Sequence, residues 1–299
     1  MDRPEFIVVR LHGGMCNQMF EYAFGRGLSE KLGCGLYFDD AGVLENRKAH
    51  VKYALGDFDT KVKLASKEMI SSVLTPHFYL KRKLYKAFRI PFRYADTHLV
   101  EKSFGYDSSF EKIAKNSYFE GLWQSPKYFE NIAGKIRKEF RLKREDELKK
   151  HPLYGEIVAS NSVAVHVRRG DYIKNRRYAK ILYVCKQGYY RRAAEYMRSK
   201  LANPKFFVCS DDPKWVEQNL DLGGDFALVK SKSHFEDFFL LQSCRHNIIS
   251  NSTFSWWSAW LNANPEKIVA CPDRWFTEAS KSDGAGIEPE DWVKISTRD

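Results

Sequence analysis

Between Ser162 and Ala270 short apolar runs alternate with amphipathic segments, and this alternation constrains the fold more than any other feature. Residues 162–167, 206–209, 226–229, 247–250 and 267–270 read as buried strands, and residues 188–201, 212–220, 234–244 and 254–262 as helices. Strands that alternate with helices cannot pair as hairpins. They call for a parallel, doubly wound sheet with ligands at the carboxyl ends of its strands.

The chain opens in the same manner. The run 6–11 is a strand, Gly13-Gly14 breaks it, and Met19, Phe20, Ala23, Phe24, Leu28 and Leu32 then recur at helical spacing over 17–32. Gly33 and Gly35 end that helix, and 35–38 reads as the next strand. Residues 60–150 suggest helices around 66–73, 76–88 and 126–140. A charge-rich stretch over 138–151 marks the expected division, with one lobe at 1–152 and another at 153–299.

The formal net charge of +11 favours polyanionic partners: nucleic acid, an anionic membrane or a phosphorylated small molecule. No nucleic-acid-binding motif is present, and the arginines fall at strand ends rather than along one stripe, so nucleic acid is not an expected partner. The 6 cysteines form no CxxC pair, which speaks against a zinc site or a disulfide framework and suits a cytoplasmic protein. No run approaches the roughly 20 apolar residues of a membrane span, so a soluble or at most peripheral protein is expected. The basic segment 81–89, with Leu84, Tyr85 and Phe88, reads either as a solvated helix face or as a surface for the inner face of an anionic membrane. Asp57-Phe58-Asp59 matches the Asp-x-Asp pattern of metal-dependent sugar transferases, but precedes no evident strand end. No metal site is expected.

The densest chemical signal is Val165-His166-Val167-Arg168-Arg169-Gly170-Asp171-Tyr172, at the carboxyl end of a strand. His166 and Arg168 share one face of it. A guanidinium there clamps phosphate oxygens bidentately. Arg169 and Asp171 read equally as a structural ion pair. Next comes Ser250-Asn251-Ser252-Thr253-Phe254, where a strand runs into a helix N-terminus. That position attracts anions, although Ser252 or Thr253 also serves as a plain cap. Asn251-Ser252-Thr253 matches a glycosylation sequon, which is read as coincidental in a helix-opening turn. The Gly pair of Arg10-Leu11-His12-Gly13-Gly14-Met15-Cys16-Asn17-Gln18 permits close backbone approach and is a weak signal alone.

These peptides, with Gly121-Leu-Trp-Gln-Ser125 and Phe235-Glu-Asp237, resemble the α-1,2-fucosyltransferases of glycosyltransferase family 11, bacterial type. The resemblance implies a GT-B fold of two Rossmann-like lobes with a cleft between them, the acceptor side on the first and GDP-fucose on the second. It implies inverting, metal-independent transfer of L-fucose from GDP-β-L-fucose to the 2-hydroxyl of a galactoside, as an oligosaccharide or lipid-linked glycan. By position, Arg168 would hold the β-phosphate, His166 and Asp237 would read guanine, and Ser252, Thr253 and Phe254, with Gly14 and Asn17, would surround the pyrophosphate. Asp171 is the nearest candidate for a catalytic base, with fixing an arginine as its alternative. Cys16 departs from the family's usual glycine and would stiffen the first loop.

Overall fold

A computed structural model describes residues 5–44, 52–90, 93–280 and 286–298. The chain divides into two compact units, Met1–Arg141 with Ala285–Ile287, and Leu142–Gly284 with Glu288–Asp299. The division falls inside the charge-rich stretch 138–151, so residues 142–152 belong to the second unit.

In the first unit, β1 (Phe6–Arg10) leads into α1 (Met15–Leu32) and β2 (Gly35–Asp39). Then come α2 (Lys67–Val73), α3 (Phe78–Phe88), β3 (His98–Val100), β4 (Ser117–Glu120) and α4 (Ala133–Glu139). The strands form one parallel sheet in the order β2-β1-β4-β3. Strand β1 is buried from Ile7 onward because it lies between two neighbours and under α1. Gly33 ends α1 in a left-handed conformation, φ 60°. Phe24 of α1 stacks on Trp123 with centroids 4.0 Å apart, and Phe119 and Tyr128 meet the same ring edge-on. The expected helix over 126–140 is broken: Pro126–Tyr128 and Glu130–Ile132 are 3-10 turns, and only Ala133–Glu139 is α-helical.

In the second unit, β5 (Ser162–Val167), α5 (Gln187–Lys200), β6 (Lys205–Ser210), α6 (Pro213–Asn219) and β7 (Phe226–Leu228) build one half of a sheet. The other half is α7 (His234–Ser243), β8 (His246–Ile248), α8 (Thr253–Leu261), β9 (Val269–Pro272) and β10 (Val293–Ile295). The order is β10-β9-β8-β5-β6-β7, and every pairing is parallel. The chain winds outward from β5 in one direction and then from β8 in the other, the doubly wound order of dinucleotide-binding sheets. Its topological switch point therefore lies between β5 and β8. Strand β5 is buried at all its positions, the polar Ser162 and His166 included, as a central strand covered on both faces is. The α8 tryptophans Trp256, Trp257 and Trp260 anchor that helix in the core.

Two glycines of α1 make a matched test of packing. A Cβ on Gly27 would stand 2.1 Å from the backbone oxygen of Tyr128, which cannot rotate away. On Gly25 it would meet a Leu36 methyl at 2.8 Å, the end of a flexible side chain, and a methyl of buried Val9 at 3.0 Å. Alanine gains about 1 kcal/mol of helix propensity at either site, whereas overpacking against rigid backbone costs about 1–3 kcal/mol. Gly27→Ala is therefore expected to lower the melting temperature, and Gly25→Ala to lower it clearly less. Equal melting temperatures for the two variants would refute this packing argument.

Candidate functional site

The switch point of the second sheet gathers the two strongest sequence signals. The chain leaves β5 through Arg168 and Arg169, and leaves β8 through the turn 249–252 into α8. Val165 and Ile248 are register partners, so the side chains that follow them meet. Nδ1 of His166 lies 2.9 Å from Oγ of Ser250, and the imidazole rests on the Phe254 ring at 5.3 Å. Burial, then the charge of Arg168, pushes the His166 imidazole well below its ordinary pKa, so it is neutral at physiological pH.

Arg168 is clamped. Its Nη2 donates to Asp171 Oδ1 at 2.6 Å, and its Nη1 lies 3.1 Å from Asp211 Oδ2. Its guanidinium also lies 5.4 Å from the centre of the Tyr172 ring, while its Nε is buried without an acceptor. The contacts of Asp171 are those of a residue that fixes an arginine. Arg169 is turned elsewhere: its guanidinium lies 3.9 Å from the centre of the Trp215 ring, with Nε 3.6 Å from Asp212. The two arginines thus separate into one at the switch point and one bound to α6.

Asp211 was not among the expected site residues. It follows β6, accepts the backbone N–H of Arg169 at 2.9 Å and reaches Arg168 as well. Its position depends on Gly170, where a Cβ would come within 2.5 Å of Asp211 Oδ2. The available signal was Ser210-Asp211-Asp212-Pro213: the second aspartate caps α6 by accepting from Trp215 N, which leaves the first for another task.

The turn after β8 divides its labour. Asn251 is buried, and its Nδ2 donates to the carbonyls of Tyr183 and Trp275, so it braces two loops. Tyr172 donates to the Asn251 carbonyl at 3.0 Å, tying the β5 turn to the β8 turn. Ser252 caps α8, its hydroxyl accepting from Phe254 N at 3.4 Å, with Thr253 as the first helical residue. Phe254 bridges outward to Phe238 of α7 at 5.4 Å. Asp237, next to Phe238, accepts from Ser231 Oγ; burial raises its carboxyl pKa, and hydrogen bonds from Ser231 and Cys209 oppose the rise. The structure therefore brings His166, Arg168, Asp171, Ser252, Thr253 and Phe254 to one switch point, with Asp237 on the adjoining α7.

Gly14 and Asn17 lie in the first unit, Gly14 as the N-cap of α1 and Asn17 in its first turn. Oδ1 of Asn17 accepts from Gln124 Nε2 at 3.2 Å, joining the first turn of α1 to the loop after β4. Ionisable groups missed in the sequence collect at this sheet's carboxyl ends. Glu21 is fully buried, with Oε1 2.7 Å from His12 Nδ1. Glu101 accepts the backbone N–H groups of Leu122 and Trp123 at 2.7 and 3.2 Å. Burial pushes the Glu21 and Glu101 carboxyls each up to about 7. Glu120 draws in Arg82 at 3.1 Å and Arg10 at 3.6 Å, and Tyr118 donates to Asp39 at 2.6 Å. Among the described residues, no three His, Cys, Asp or Glu side chains group closely enough to hold a metal ion.

Residues 60–296 match the family model described as glycosyl transferase family 11. The sequence is 31% identical to an α-1,2-colitosyltransferase of Escherichia coli, over 97% of this chain and 98% of that one. It is 29% identical to the human galactoside α-(1,2)-fucosyltransferase 1, over 62% of this chain and 53% of that protein. Among solved structures, a variant of Arabidopsis thaliana FUT1 in complex with GDP aligns with a TM-score of 0.52 at 10% identity, covering 96% of this chain and 76% of that one. That likeness shows the fold, an α/β architecture of the GT-B class with two Rossmann-like units.

The raised carboxyl of Glu101 has a consequence for stability. A carboxyl whose folded pKa is about 7, against an ordinary 4.5, binds more protons folded than unfolded across that interval. Its contribution to stability is complete below about 4.5 and is lost as the pH rises through 7. Glu101→Gln cannot titrate and so removes this slope, at the loss of one of the two backbone hydrogen bonds, since its amide nitrogen cannot accept an N–H. Wild type should lose on the order of 2 kcal/mol relative to the variant between pH 5 and pH 8. Melting curves of both proteins at the two pH values check this, and parallel behaviour would contradict a buried, proton-binding Glu101.

Proposed function

Because the chain belongs to glycosyl transferase family 11, we propose that it transfers L-fucose from GDP-β-L-fucose to the 2-hydroxyl of a galactose residue in a glycan, with inversion and without a metal ion. The observation that carries this reading is a fixed guanidinium at the switch point, Arg168, across from the N-terminus of α8. Ligands of doubly wound sheets lie at that crevice, and both elements favour anions there.

In the proposed reaction the bond from fucose C1 to the β-phosphate oxygen breaks while a bond from the acceptor 2-oxygen to C1 forms on the opposite face, and the 2-hydroxyl proton is released to water. A β-linked donor thereby yields an α-1,2 product. Negative charge grows on the β-phosphate of the departing GDP, and Arg168 with the α8 N-terminus stabilises it. Asp171 acts as a positioning residue, holding the guanidinium. Ser252, Thr253 and Phe254 lie against the pyrophosphate, and the proposed guanine contacts are Asp237 and the neutral His166. In the first unit, Gly14 and Asn17 retain the donor-contact role implied by the family resemblance, and the acceptor belongs at that unit's strand ends, where Asp39, Glu101 and Glu120 lie.

A second donor reading rests on the identity to the colitosyltransferase, which extends over 97% of the chain. Colitose is fucose without its 3-hydroxyl, so a colitosyl donor built on GDP would occupy the same nucleotide site. Rates with GDP-fucose and GDP-colitose, measured side by side on one galactoside, decide between them. A kcat/KM higher for GDP-colitose would overturn the fucosyl reading and leave the GDP site intact.

Two arginine variants test the assignment of charge. Arg168→Lys keeps a positive charge and loses the planar fork held by two carboxylates. Turnover is expected to fall roughly 10²–10³-fold, with a much smaller change in donor Kd, because the interaction is strongest in the transition state. Arg169→Lys, which disturbs contacts to Trp215 and Asp212, should act mainly on the melting temperature. Wild-type turnover in Arg168→Lys would place the leaving-group charge elsewhere.

A further inference from the structure

Helix α3 turns its apolar stripe away from the protein. Of its residues only Phe78 is buried, and every residue from 83 to 90 is exposed. Leu80, Leu84 and Phe88 follow one another at four-residue spacing, which places them on one face, and they are 57%, 37% and 70% exposed. Ile90 continues the patch at 51%. Among the described residues of the chain, no helix is long and apolar enough to cross a membrane, so an apolar stripe here is not part of a span.

The charge around the stripe is of one sign. Lys81, Arg82, Lys83, Lys86 and Arg89 belong to this segment, Arg93 follows, and no acidic residue occurs between Phe78 and Ala95. Lys81 and Lys83 flank the stripe, one on each side, by the 100° advance per residue of an α-helix. Arg82 is on the opposite side, where it binds Glu120 at 3.1 Å and lies 5.8 Å from the Phe78 ring centre, holding the helix to the first unit. A second copy of the same face would bring like charges together. A surface of negative headgroups above an apolar layer matches both the cations and the leucine–phenylalanine stripe.

We propose that α3 with Arg89, Ile90 and Arg93 is a peripheral membrane-binding surface for anionic lipid leaflets, lying in the interface with Leu80, Leu84 and Phe88 toward the acyl chains. Such a surface would hold the enzyme beside lipid-linked glycans, but its binding to lipid does not rest on the transferase reading.

The full chain should be sedimented with vesicles of phosphatidylcholine containing about 30% phosphatidylglycerol, and with phosphatidylcholine alone, a composition chosen so that surface charge is the only difference. Binding is expected to the anionic vesicles and not to the neutral ones, and to weaken in high salt. Leu84→Ser/Phe88→Ser and Lys81→Glu/Lys83→Glu/Lys86→Glu alter side chains that are exposed or, at Lys81, half-buried, so melting curves should stay near wild type. Each is expected to reduce partitioning at least roughly tenfold, given the loss of two apolar insertions or the reversal of three charges. No binding to anionic vesicles, or unchanged binding by both variants, would overturn the proposal. Concentration-dependent self-association that Leu84→Ser/Phe88→Ser abolishes, without vesicle binding, would overturn it in favour of a protein interface.

Discussion

Asp171 at 2.6 Å and Asp211 at 3.1 Å share the guanidinium of Arg168, and much of the second unit's switch point is arranged around that shared charge. The pair comes from two different strand ends, so Arg168 is fixed relative to both β5 and β6. Gly170 is what lets Asp211 approach, since any side chain there would meet its carboxylate. Asp211 also takes the backbone N–H of Arg169, so one residue orients both the turn and the side chain. A guanidinium held this way need not reorganise when charge develops on a neighbouring phosphate, which is how preorganised electrostatics lower a barrier.

The other side of the crevice is built to match. Tyr172 reaches from the β5 turn to the Asn251 carbonyl, and buried Asn251 in turn holds the carbonyls of Tyr183 and Trp275. Trp256, Trp257 and Trp260 fix α8 in the core, and Thr253 and Phe254 open it at the switch point. Tight packing and the proposed chemistry thus lie side by side in one short helix, with Trp256 already in its first turn. His166 belongs to the same arrangement. Burial and the charge of Arg168 keep it neutral, so its ring packs on Phe254 without adding a second positive charge to the cluster.

Strands of the second sheet were legible because buried parallel strands are rich in apolar residues, as the cores of β5, β6, β7 and β9 are, and because Ile248 and Ile249 mark β8 within the same alternation. Strands β3, β4 and β10 were not legible: each is three or four residues long and, unlike the equally short β7 and β8, none falls within a regular alternation of strand and helix signals, while Glu101 follows β3 and Glu120 ends β4. The 126–140 segment has helical composition, yet Pro126 and the packing of Tyr128 and Phe129 divide it into separate turns. At the site, Arg168 and Ser252 stood out because their peptides combine strand ends with charge or hydroxyl groups. Asp211 did not, because an aspartate before a helix reads as a cap, and only the pairing of β5 with β6 brings it to Arg168. Glu21 and Glu101 were hidden for a related reason: burial is a property of the folded unit, and nothing in a local sequence marks a glutamate as enclosed.

The central claim is that an arginine and a helix terminus, without a metal ion, support inverting transfer to a 2-hydroxyl. It is tested most directly by incubating the protein with GDP-fucose and a β-galactoside in excess EDTA and determining the product's linkage and anomeric configuration by NMR. The account predicts an α-1,2-fucoside formed at the same rate with and without the chelator. Transfer that stops in EDTA and returns with added divalent metal, or a product of other linkage or β configuration, would contradict it.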